Sequence, residues 1–220
     1  MDDVRIIEIK KNIFSKNIED ANILRNALKK KGVTLINVMS SPGSGKTTTL
    51  IALINELKKD YNIRVMEADI DSAVDASLVK EKTGVETIQL HTGGMCHLDA
   101  KMTEYGLDHL DLEDVDLVFL ENVGNLVCPA EFDTGAHFNI NILSVPEGDD
   151  KPLKYPLMYE VCDLVIINKI DVAPYFNFDT NKCKQYIKMR NEKASVLEIS
   201  ALKNEGINEV ANWIKQKMEG

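Results

Sequence analysis

The chain is predicted to fold as an α/β protein on a doubly wound, mainly parallel sheet, and three observations carry that expectation. Apolar runs of strand length alternate with longer helical patterns along most of the chain. Most of those runs are continuous rather than alternating, as strands covered on both faces by helices require. The first of them leads at once into a glycine-rich turn, SSPGSGKT at residues 40–47, that opens a helical pattern, TTTLIALINELKK. Strands are expected at residues 33–39, 63–68, 86–90, 115–121, 139–145, 164–168 and 196–199, and helices at 46–59, 73–82, 98–109, 152–161, 180–191 and 208–217. Ahead of the first strand, EIKKNIFSKNIEDANILRNALKKKG reads as one or two amphipathic helices stopped at Gly32. The expected organisation is a helical extension over residues 1–32 and one α/β domain over 33–220, with ligands beyond the carboxyl ends of the strands.

Composition agrees with that organisation. A chain of 220 residues, 44% hydrophobic and 28% charged, suits a single domain with a substantial core. The start, MDDVRIIEIKK, has no uninterrupted apolar segment, and no run approaches membrane-spanning length, so a cytoplasmic location with no membrane partner is expected. A net charge of −9 argues against a general nucleic-acid binder, since phosphate backbones need a basic face. In a reducing compartment the scattered Cys96, Cys128, Cys162 and Cys183 are expected to be packed, reactive or metal-binding rather than paired.

The turn at 40–47 has the chemistry of a phosphate-binding loop. Gly43 and Gly45 let the backbone approach phosphate oxygens, and the N–H groups through Ser44 to Thr48 face an anion at a helix N-terminus. Lys46 reaches the β- and γ-phosphates, and Thr47 offers its hydroxyl to Mg²⁺. The usual pattern begins with glycine, whereas Ser40 stands here. Guanine is favoured by NKID at 168–171: Asp171 can accept from guanine N1 and N2, and the Lys169 stem can lie along the base, beside Asn168. In SALK at 200–203, Ser200, Ala201 and Leu202 are placed at the base, with the N–H near Ala201 donating to guanine O6. The expected ligand is GTP or GDP with Mg²⁺.

Two acidic motifs complete this site. DIDSAVD puts Asp69, Asp71 and Asp75 where a strand passes into a helix, and Asp69 or Asp75 is expected to help hold Mg²⁺ while Asp71 caps the helix. Glu121 and Gly124 form E-x-x-G, the carboxylate holding a metal-bound water and the glycine N–H sensing the γ-phosphate. With Lys46 they are the expected catalytic set. Position 125 is Asn where a water-orienting Gln is common, so hydrolysis is expected to be slow until a partner or a second copy completes the site.

A further group points to a soft metal. Cys96 and His97 are adjacent in a glycine-rich loop, and Cys128 follows on a neighbouring one. Thiolate and imidazole donors suit Zn²⁺ or Ni²⁺. The fourth ligand is left among water, His91, His137 and a residue of a second subunit; His109 is assigned to a helix end at the surface.

Together SSPGSGKT, GGMCHLDA, ENVGNLVCPAEFD and NKID resemble the hydrogenase nickel-incorporation GTPases, the HypB family, from about the N-terminal helix to the C-terminus. The resemblance implies a GTPase that dimerises on nucleotide binding and helps deliver Ni²⁺ to the large subunit of [NiFe]-hydrogenase, with a second nickel-binding accessory protein as partner. It also implies that Cys96, His97 and Cys128 form a metal site near the dimer interface. Two departures bear on this. There is no Cys or His before His91, so N-terminal nickel storage is expected to be absent, and Lys101 and Tyr105 occupy a helix face where some relatives carry histidines. The alternatives are a urease accessory-type nickel GTPase, whose Cys-Pro-His motif differs from Cys96-His97, and a GTP-responsive metal storage or sensor protein with little turnover.

Overall fold

The structure, a computed structural model, describes residues 9–69 and 74–220. A helix α1 (Ile9–Lys31) leads into β1 (Thr34–Ser40), α2 (Lys46–Leu57), β2 (Ile63–Asp69), α3 (Val74–Thr83), β3 (Glu86–His91) and α4 (Ala100–Leu107). There follow β4 (Leu117–Glu121), the short α5 (Cys128–Glu131), β5 (Phe138–Ser144), α6 (Lys151–Lys154), α7 (Pro156–Glu160), β6 (Leu164–Asn168), α8 (Thr180–Arg190), β7 (Ser195–Glu198) and α9 (Ile207–Glu219). The seven strands form one sheet in the order β3-β2-β4-β1-β5-β6-β7, and every pairing is parallel. All seven carboxyl ends therefore point the same way, and β1 lies in the middle.

Alternate residues of the strands feed opposite cores. Ile36, Val38, Val65, Phe119 and Ile166 pack under α2 and α9 through Leu50, Leu53, Ile54, Val210 and Ile214. On the other face, Leu35, Met66, Val118 and Leu120 meet Leu24 and Leu28 of α1 and Leu107 of α4, while Val165 and Ile167 meet Met158 of α7 and Ile187 of α8. This two-sided burial explains the continuous apolar runs.

Three expectations change in detail. The N-terminal pattern resolves as one helix over its described length, stopped by Gly32 at φ 75°, with the Val33 N–H bonding back to the Leu28 carbonyl. The helix expected at 152–161 is two, α6 and α7, because Tyr155 precedes Pro156 and adopts ψ 59°, outside the helical region. The helix expected at 98–109 narrows to α4, with the Asp99 side chain capping it by accepting from the Met102 N–H. Asp71 and its expected cap lie outside the described residues. Among the described residues no helix is long and apolar enough to cross a membrane.

Polar contacts fix α1 to the body. Arg25 forks onto both carboxylate oxygens of Asp133 at 2.7 and 2.8 Å and donates through Nε to the Ala136 carbonyl at 2.8 Å. Asn17 donates to the Asp133 carbonyl and accepts from the Ala100 N–H, at 3.0 and 3.1 Å.

Candidate functional site

The loop between β1 and α2 closes with Gly43 at φ 75° and Gly45 at φ 91°, conformations that favour glycine. Gly45 is needed on a second count, since a Cβ there would stand 2.6 Å from the Asn168 amide nitrogen. Ser40 in the first motif position needs no such freedom: the described non-glycine residues with positive φ are Asp114, Lys169 and Asn204, and Ser40 ends β1, buried, its hydroxyl donating to the Ser41 carbonyl. In front of the loop lies a cavity of about 540 Å³ lined by residues that include Gly43, Gly45, Lys46, Thr47, Thr48, Asp69, Asp75 and Gly124. Ser44 is buried behind it, and its carbonyl accepts from Asn168.

Glu121 ends β4 inside this site, fully buried. Lys46 Nζ lies 3.1 Å from its Oε1, and the Thr47 hydroxyl donates to the same oxygen at 3.0 Å. Oε2 has no hydrogen-bond partner among the described residues. Burial pushes the Glu121 carboxyl above its ordinary range, with Lys46 opposing. Parallel register sets Glu67 of β2 beside Glu121, and burial with the Glu121 charge pushes the Glu67 carboxyl up to about 8. Glu67 Oε2 is also buried without a partner. Asp75, at the start of α3, completes a group with ligand atoms all within 4.8 Å of one another. Of the two aspartates expected near Mg²⁺, Asp75 joins Glu121, while Asp69 lines the cavity outside that group. Glu67 was missed by sequence reasoning; its signal was a carboxylate inside the strand run IRVMEAD, one turn of the pleat before Asp69. A threonine hydroxyl and buried carboxylate oxygens without partners are the donor set of a hard divalent cation, so these residues fit Mg²⁺.

The segments expected to read the base form a smaller cavity of about 230 Å³ between Gly45, Thr48, Asn168, Lys169, Asp171, Ser200, Ala201 and Leu202. Asn168 ties its walls together, donating to the Ser44 carbonyl at 3.0 Å and accepting from the Lys169 and Ala201 N–H groups at 2.7 and 3.1 Å. The Ala201 N–H, expected to donate to guanine O6, donates here to the Asn168 side-chain oxygen, the acceptor a buried N–H requires. Lys169 takes a left-handed conformation that carries its Nζ to the Gly43 carbonyl at 2.7 Å. Asp171 accepts from the Ser200 hydroxyl at 2.7 Å through Oδ1.

The expected metal residues also come together. Ligand atoms of Cys96, His97 and Cys128 lie within 4.8 Å of one another, each residue half-buried. The neighbouring Cys128 thiol and burial raise the Cys96 thiol above its ordinary value, and burial lowers His97, which keeps the imidazole in the neutral form a metal takes. Asn125, between the two sites, accepts from the Val127 N–H at 2.9 Å and reaches the Cys96 carbonyl in a long 3.5 Å contact. His137 is excluded as a further ligand of this group within one chain: its Nδ1 accepts from the Leu35 N–H near the amino end of β1, at the opposite end of the sheet. His91 closes β3 outside the group, and His109 is exposed with its ring nitrogen at the Tyr105 carbonyl, as expected. Cys162 and Cys183 are buried, the latter pushed up to about 12 by burial, and serve as packing residues.

A parallel sheet with a phosphate loop after its central strand, and a base-sized cavity beside that loop, defines a P-loop nucleotide-binding protein of GTPase type. A family model described as "CobW/HypB/UreG, nucleotide-binding domain" matches residues 34–198. The hydrogenase maturation factor HypB of Rhizobium leguminosarum bv. viciae is 42% identical over 215 residues, covering 98% of this chain and 72% of its own. The crystal structure of HypB from Helicobacter pylori in complex with nickel superposes with a TM-score of 0.87 at 40% identity, covering 93% of this chain and 95% of that one. HypB from Archaeoglobus fulgidus follows with a TM-score of 0.85 at 33% identity over 93% and 99%. The chain belongs to the HypB family of hydrogenase maturation factors.

Proposed function

We infer that the chain is a GTP-hydrolysing metallochaperone that assists nickel insertion into [NiFe]-hydrogenase, with nucleotide state gating a Cys96, His97, Cys128 nickel site. One observation carries this reading: a single short segment, 121–128, begins at the carboxylate held by Lys46 and Thr47 and ends at a thiol of the metal group. Asn125 inside it also touches the backbone of Cys96. A change at one end is thereby a change at both.

The residues divide the work as follows. Lys46 and the loop N–H groups bind the β- and γ-phosphates, and Asp171 reads guanine. Bound Mg²⁺ supplies charge neutralisation at the phosphates, with Thr47, Glu121, Asp75 and Asp69 as the side chains available to hold it or its waters, and Glu67 behind them. In taking phosphate, Lys46 leaves Glu121, and Thr47 turns its hydroxyl away from the same oxygen. Gly124, whose Cα packs against Pro42 closely enough that a Cβ would lie 3.3 Å from it, carries its N–H towards the γ-phosphate. The segment then shifts Cys128 relative to Cys96 and His97, and hydrolysis reverses the shift. Asn125 is occupied in bridging the two loops, which supports slow intrinsic turnover until a second copy or a partner supplies a water-orienting group. The partners in this reading are a second copy of the chain, a nickel-binding hydrogenase accessory protein and the hydrogenase large subunit.

Coupling between sites is reciprocal, so nickel titrated into the protein holding a GTP analogue and into the protein holding GDP should give different affinities, with a ratio of about 5 to 150. Equal affinities in the two states would remove the gating claim.

A further inference from the structure

A metal-bound imidazole is ordinarily held in plane by a hydrogen bond from its second nitrogen to a carboxylate or carbonyl. Among the described residues, the ring-nitrogen contact of His97 is with the sulfur of Cys96, at 3.9 Å, and that sulfur is itself a metal-ligand candidate. What holds the ring is an aromatic face. Phe132 stacks on it with centroids 3.9 Å apart and an interplanar angle of 14°. Phe132 in turn packs on Phe14 of α1, with centroids 5.0 Å apart at 43°. The column stands where α1 is bonded to both ligand-bearing segments, through Asn17 to the Asp133 carbonyl after Cys128 and to the Ala100 N–H after His97.

We propose that Phe132 positions the His97 imidazole for metal and that Phe14 backs it, so that α1 is a positioning element of the nickel site. This rests on the nickel reading above. The physical reason is that a stacked ring loses its freedom to rotate about the side-chain bonds before metal arrives, which lowers the ordering cost of binding. The face of Phe132 also favours an imidazole made electron-poor by coordination. Whatever draws α1 off the body then loosens His97 and speeds metal release.

The test uses the 220-residue chain with nickel alone, its affinity read by competition with a chromophoric chelator and its coordination by thiolate-to-nickel charge-transfer absorption. Phe132→Leu should weaken nickel binding by about threefold to tenfold, the range one aromatic pair is worth, and should speed release into excess chelator. Phe132→Tyr should restore both, and Phe14→Ala should give a smaller loss in the same direction. In a His97→Ala background Phe132→Leu should have no further effect, because the residue acts through His97. Where Phe132→Leu does not fold, Phe14→Ala with and without His97 completes the same cycle. Unchanged nickel affinity in Phe132→Leu, or an equal loss with and without His97, would overturn the proposal. Loss of nickel in Cys128→Ala alongside such a result would confine the failure to the aromatic column. Nickel binding that survives Cys128→Ala would overturn the nickel reading and the column with it.

Discussion

Cys96 and Cys128 face each other half-exposed, whereas Cys162 and Cys183 sit inside the core with their thiols pushed to high pKa by burial. Because a reagent must reach the sulfur, a thiol reagent at about pH 8 should modify the first pair in the native protein and the second only after unfolding. Counting titrated thiols with and without denaturant checks this, and modification of Cys162 in the native state would contradict the packing. His137 gives a pH signature. Burial, with Arg25 second, lowers its pKa from the ordinary 6.5, so the unfolded chain binds the proton more readily. Its contribution is therefore fully present above about pH 6.5 and is lost as pH falls towards the depressed native value. Urea unfolding at a series of pH values should show stability declining below about 6.5, and His137→Gln, which keeps an acceptor for the Leu35 N–H but does not titrate, should flatten that decline. Glu67 shows what single residues conceal. Its place beside Glu121 depends on the register of two strands distant in sequence, and no local pattern states that register.

At the level of elements, the sheet was readable because parallel strands buried on both faces leave long apolar runs, and the phosphate loop because its glycines, lysine and threonine are fixed by geometry at one spacing. The break at Tyr155 was readable in principle from Pro156, but an apolar helical period on both sides masked it. The path of α1 was not readable. Its amphipathic pattern called for a partner surface without saying which, and the choice is made by long-range contacts such as Arg25 with Asp133 and Ala136. Those groups are partly exposed, at 29% and 35% of their side chains, so solvent screening discounts the ion pair. Arg25→Ala should then cost about 1–2 kcal/mol, most of it from the charge-assisted bonds, measurable as a lowered urea midpoint. A loss below a few tenths would mean that the apolar stripe of Leu24 and Leu28 alone seats the helix.

Across the described residues, the candidate sites gather at one end of the sheet. β1, β2, β4 and β6 deliver the phosphate loop, the carboxylates and the segment proposed to read the base at their carboxyl ends, and the Cys96 and Cys128 loops follow β3 and β4 on the same side. The Lys46–Glu121 pair has a consequence for how this end fills. On the proposed function, nucleotide binding there is an exchange, not an addition: in taking phosphate the Lys46 ammonium abandons a carboxylate buried to 0% exposure, and an unaccompanied anion would be stranded in the interior. A cation must replace the one withdrawn, so nucleotide and magnesium are expected to enter as a single neutralising package, with chelation of magnesium weakening GDP binding sharply. Glu121→Gln leaves no stranded charge, and fluorescence titration of a labelled GDP should show that magnesium dependence shrinking in the variant. The Lys46–Glu121 pair is thus an internally balanced salt, and the ligand expected to displace it is one that arrives with its own counter-ion.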